Sequence, residues 1–137
     1  MENKNALPTF RLIQTNMKLR IKGNSLRMRL TKNEVNKLAE TGYLEEQTVF
    51  PYNRFIYALQ KTDDAALSAS FESNKITMLV PGSFVKDWPG NNVIGLDAKM
   101  PLTGNESLYL LIEKDFVCLD DSTEDQSDNY ENPHKTC

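Results

Sequence analysis

From residue 18 the chain alternates between charged and apolar side chains. Leu19 and Ile21 share one face of an extended strand, and Lys18, Arg20 and Lys22 share the other. Gly23-Asn24 follows, a pair that tolerates positive φ, and the alternation resumes with Leu26, Met28 and Leu30 set against Arg27 and Arg29. This pattern predicts a β-hairpin with its aliphatic face turned inward. Thr31 and Glu34 then make a capping box, in which hydroxyl and carboxylate each satisfy an otherwise orphaned backbone amide. Val35, Leu38 and Ala39 give the helix that follows one apolar stripe, and Gly42 is placed to end it in a left-handed conformation. The predicted helix spans residues 32–41.

Residues 43–50 and 54–61 are rich in aromatic and β-branched side chains and are separated by Pro51-Tyr52-Asn53, which predicts two more strands. Leu67, Ala69 and Phe71 alternate up to Ser73-Asn74 and return through Ile76, Met78 and Val80, a second hairpin in which Glu72 faces Lys75 and Phe71 faces Ile76. Pro81-Gly82 breaks that strand, and residues 83–88 allow a short helix that Pro89-Gly90 stops. Residues 93–98 and 107–119 supply the last strands around a turn-rich segment at 101–105. Hairpins dominate and βαβ alternation is absent. The expected fold is therefore α+β: a mainly antiparallel, curved sheet or open barrel with one main helix and one short one.

The length of 137 residues suits one domain, and 39% hydrophobic with 26% charged residues is ordinary globular usage. We expect an N-terminal arm or extension over 1–16, a single domain over 17–119 and an acidic tail over 120–137. That tail lacks the apolar content to offset its ordering entropy, so it is expected to be disordered unless something ties it down. No run approaches the ~20 apolar residues that cross a bilayer. The N-terminus has no apolar signal region, which points to a cytoplasmic location in which Cys118 and Cys137 stay reduced.

Charge is segregated along the chain. Residues 113–137 hold eight acids against two lysines, a net −6, so a total of −3 leaves the rest of the chain at +3. The positive side concentrates on the outer face of the first hairpin, where Lys18, Arg20, Lys22, Arg27 and Arg29 are expected to share one surface. Like charges directly opposite each other repel, so this face calls for negative charge. The protein's own carboxylates can supply it, from Glu113 and Asp115, from Glu45 and Glu46, or from the tail. The sharper alternative is a phosphate, nucleotide or nucleic-acid contact, because guanidinium forks match phosphate oxygens. Sequence-specific nucleic-acid reading is disfavoured, since no aromatics interleave the basic positions for base stacking.

A second constellation is Cys118, His134 and Cys137, with Asp120, Asp121 and Asp128 as oxygen donors. The set is acceptable to a structural zinc that would pin the tail, though its spacing is not a standard one. No other cofactor is expected. His134, the only histidine, lies in the tail, where no rigid scaffold supports a nucleophile–base device. No glycine-rich phosphate loop or nucleophile elbow occurs.

The stretch KLRIKGNSLRMRL at 18–30, with EKDFVCL at 113–119 and the closing Asn132-Pro133 to Cys137, resembles a family of small bacterial proteins of unknown function. The resemblance covers most of 17–137 and implies a stand-alone bacterial domain, with no activity or catalytic residue to carry over. The expectation is thus a non-enzymatic binding or regulatory domain. Its basic hairpin would engage an anionic small molecule or acidic partner, with the tail competing for the same surface. The alternative is a small metal-dependent hydrolase of phosphorylated substrates, which needs a metal and positioned carboxylates.

Overall fold

The computed structural model describes residues 17–116 and 127–131. The elements run β1 (Lys18–Ile21), β2 (Ser25–Leu30), α1 (Lys32–Thr41), β3 (Tyr43–Phe50), β4 (Asn53–Thr62), β5 (Ser68–Glu72) and β6 (Lys75–Pro81). A single-turn helix α2 (Gly82–Val85), a 3₁₀ turn at Trp88–Gly90, β7 (Gly95–Pro101) and β8 (Ser107–Lys114) complete the order. The fold is α+β, as expected, and no barrel closes. The strands form two four-stranded sheets, β1-β2-β8-β7 and β3-β4-β6-β5.

Both sheets repeat one topology. Each consists of two antiparallel hairpins, and each joins its hairpins through a central parallel pair, β2 with β8 and β4 with β6. The antiparallel hairpins follow from local alternation. The parallel pairs do not, because they join strands remote in sequence. The β2–β8 pairing has the larger consequence, since it lays the end of the chain's last strand beside the basic hairpin.

Local chemistry sets the turns. Gly23 alone of its loop takes positive φ, +54°, as a II′-type hairpin requires of its first loop residue, whereas Ser73 and Asn74 both do, at 52° and 64°, in the I′ manner. Glu72 pairs in register with Lys75 and Phe71 with Ile76. Phe71 keeps the inward phase yet stays 68% exposed beside the turn. The Lys75 ammonium leaves Glu72 and donates to the Tyr43 hydroxyl at 2.6 Å. The helix is also as expected: Thr31 accepts from the Glu34 amide, Glu34 accepts from the Thr31 amide at 2.9 Å, and Gly42 ends the helix with φ +80°. The short helix is tighter than the 83–88 expected. It stops at Val85, and Pro89 confines the next turn to a 3₁₀ segment.

One core draws from both sheets and the helix. Leu26, Met28, Leu30, Leu110 and Ile112 come from the first sheet, Leu44, Leu59, Met78 and Val80 from the second, and Val35 and Leu38 from α1. Trp88 is fully buried, lies 4.9 Å from Phe84 between ring centroids, and donates from Nε1 to the Val93 carbonyl at 2.8 Å. No helix among the described residues is long and apolar enough to cross a membrane.

Candidate functional site

The hairpin register is the one its alternation dictates. Lys18 pairs with Arg29 and Arg20 with Arg27 across the strands, and Lys22 and Ser25 close the loop with reciprocal backbone bonds of 3.2 and 3.1 Å. The cations therefore share the solvent face of the first sheet, while Leu26, Met28 and Leu30 go inward. Beside them β8 presents Tyr109, Leu111 and Glu113 on the same face, opposite Ser25, Arg27 and Arg29.

This arrangement divides the basic face into two unequal ends. At the open end of the hairpin, Glu113 Oε2 accepts from Arg29 Nε at 2.7 Å and stands 3.5 Å from Arg27 Nε. The Lys18 ammonium lies 3.1 Å from the Asp115 carboxylate, whose side chain is only 6% exposed. Of the carboxylates expected to answer this face, Glu113 and Asp115 do so. Glu45 is on the other sheet, where it accepts from Tyr43 and Gln47 at 2.7 and 2.8 Å. Those two bonds hold the Glu45 carboxyl below its ordinary range.

At the turn end no described residue answers the charge. Among the described residues Arg20 and Lys22 make no ion pair, and with Ser25, Leu26, Arg27 and Tyr109 they line a hollow of about 130 Å³. Arg27 belongs partly to each end, because 3.5 Å from Glu113 is too long for a hydrogen bond of normal strength. Arg20 and Arg27 repel across the strand pair, and an anion seated between them would relieve that repulsion.

The hollow is built on fixed backbone. Asn24 Nδ2 donates to the Ser107 carbonyl at 2.6 Å, and the Tyr109 amide donates to the Asn24 carbonyl at 3.1 Å, so the hairpin loop is fastened to β8. Ser25 Oγ donates to the Lys22 carbonyl at 2.6 Å. Tyr109 donates its hydroxyl to Asp97 Oδ2 at 3.0 Å, a bond that raises the phenol above its ordinary pKa. Site geometry on strands held this way costs a ligand little reorganisation.

Lys114 was overlooked by sequence reasoning. It stands in phase with Leu110 and Ile112 on the buried face of β8, and that phase was the available signal. The residue is 5% exposed. Its ammonium lies 5.8 Å from the Trp88 ring centroid and 4.9 Å from that of Tyr130, and donates to the Asn91 carbonyl at 2.7 Å. Burial pushes this lysine below its ordinary pKa, and burial also pushes Tyr130 up to about 12, with Asp128 adding to the effect.

Residues 127–131 show what ties this part of the tail down. The Tyr130 amide donates to the Asp115 carbonyl at 2.7 Å, the Lys32 amide donates to the Asp128 carbonyl at 3.1 Å, and the Tyr130 ring sits 5.8 Å from that of Phe116. Two backbone bonds and one aromatic side chain thus hold the segment despite its acidic surroundings. It docks at the open end of the hairpin, away from Arg20 and Lys22. The expected metal set Cys118, His134 and Cys137 lies outside the described residues, as do Asp120 and Asp121 and the 1–16 arm. Among the described residues no three His, Cys, Asp or Glu side chains converge as metal ligands.

Fold and site together define a small α+β domain carrying a basic strand face that its own last strand neutralises at one end only. The chain belongs to the DUF7009 family, a family of unknown function, whose model matches residues 17–134. No curated protein and no solved structure matches the chain.

Proposed function

We propose that this is a cytoplasmic, non-enzymatic binding domain that takes an anionic group, a phosphate or a comparable acidic head, into the hollow at the turn of its first hairpin. The observation that carries the reading is the placement of Arg20 and Lys22, without an ion pair among the described residues, around a preformed concavity that Arg27 completes. Arg20 and Arg27 offer planar forks that suit tetrahedral oxyanions, Lys22 adds a mobile point charge, and the Tyr109 side chain walls the far side. Glu113 has a positioning role, since by holding Arg29 it confines the unanswered charge to the turn.

Calorimetric titration of the full chain with inorganic pyrophosphate at low salt should show saturable binding that weakens as salt rises. An Arg20→Ala/Lys22→Ala double variant should bind at least about tenfold more weakly, the loss expected for two charge-assisted contacts to an exposed ligand. Both side chains are exposed, so the variant should fold normally. Equal affinity in the variant, or no binding in the parent, rules the reading out.

A further inference from the structure

At the foot of β8, on the face opposite the basic hairpin surface, the loop over residues 89–94, Lys32 and the docked 127–131 segment border a second, open pocket of about 560 Å³. That volume falls in the range of small-molecule sites. Its walls are apolar at Pro89, Ile94 and Phe116, Tyr130 forms part of its lining, Lys114 and Lys32 border it, and Glu131 sets one carboxylate at its edge.

Lys114 makes this pocket more than a gap between loops. An ammonium carries three donors, and among the described residues one is used, on the Asn91 carbonyl. The aromatic faces of Trp88 and Tyr130 supply weak cation–π compensation. Among the described residues no carboxylate lies within ion-pair distance of it, and Asp115, its neighbour in sequence, is engaged with Lys18 on the other side of the strand. A buried cation with no counter-charge among the described residues is expensive to maintain. The fold nevertheless retains it at the end of an otherwise apolar row, where Leu110 and Ile112 precede it. Lys32 stands at the rim, 5.9 Å from the Tyr130 ring, and adds a second positive charge on the approach.

We propose that this pocket binds a small organic acid, whose carboxylate meets the Lys114 donors that no described residue takes while its apolar body packs against Phe116, Ile94 and Pro89. The bound acid supplies the counter-charge that the described residues do not. This site is independent of the hairpin hollow: Tyr109 and Lys114 are five residues apart on β8, about 16 Å at the rise of a strand, and they point to opposite faces.

Trp88 is the only tryptophan in the chain and its ring borders Lys114, so its fluorescence reports on this pocket. The full chain is titrated with benzoate, with hexanoate and, as a bare anion, with inorganic phosphate. A saturable change with benzoate or hexanoate at low-millimolar concentration or below is expected, with phosphate at least about tenfold weaker. Lys114→Met should fold about as stably as the parent, because it exchanges a buried charge with no carboxylate partner among the described residues for an apolar side chain of similar size, and it should lose the response. Arg20→Ala/Lys22→Ala should keep it, which separates failure here from failure of the hairpin site. Should Lys114→Met not fold, Phe116→Ala serves instead, and it should weaken hexanoate about fivefold through lost apolar contact. No saturable response to either acid, a response to phosphate as strong as to the acids, or an unchanged affinity in the folded variant would overturn the proposal.

Discussion

Gly95→Ala should lower the unfolding free energy by about 3 kcal/mol, the upper end of ordinary overpacking costs, although it adds a single methyl group. Gly95 pairs with Glu113 between β7 and β8, and a Cβ built on it would stand 2.9 Å from both Cα and Cβ of Glu113 and closer still to the Ile112 carbonyl oxygen. Those are mostly backbone atoms of a central strand, so β7 must move away and its ladder must open. The glycine is needed for space, since its φ lies outside the left-handed region. The substitution also has a reach beyond stability. Displacing Glu113 weakens its hold on Arg29, so the anion affinity of the hairpin should change together with the urea midpoint. A midpoint within error of the parent would show that the two strands are not packed this closely.

Trp88→Ala should cost more, about 4 kcal/mol, in the range of large-to-small changes at fully buried aromatic sites. Three things are lost together: the buried indole with its packing on Phe84, the bond from Nε1 to the Val93 carbonyl, and the ring beneath the Lys114 ammonium. The remaining loop cannot refill the space easily, because Pro89 restricts its backbone. Thermal or urea unfolding followed by circular dichroism measures the change. A loss under about 1 kcal/mol would place this residue outside the core.

What could be read from the residues was whatever neighbours in the chain decide. The hairpin over residues 18–30 and its pairing of Arg20 with Arg27 follow from two-residue alternation about Gly23. The helix limits follow from Thr31, Glu34 and Gly42. What could not be read depends on segments that meet only in the folded chain. Glu113 and Asp115 were among several carboxylates that could have answered the basic face, and only the parallel pairing of β2 with β8 selects them. The same pairing leaves Arg20 and Lys22 at the turn, beyond the reach of either acid. Lys114 was legible as a strand residue in an inward phase, but its meaning depends on Trp88 and Tyr130, which arrive from other parts of the sequence. The docking of 127–131 was hidden by composition, because acidic content outweighs a single tyrosine in any windowed reading.

The most direct measurement is an amide-resolved nuclear magnetic resonance titration of the full chain with inorganic pyrophosphate. Saturable shifts should concentrate at Arg20, Lys22, Ser25, Arg27 and Tyr109 and fade towards Lys18 and Glu113. Shifts centred on any other surface, or none at these five positions, would contradict an anion site at the hairpin turn.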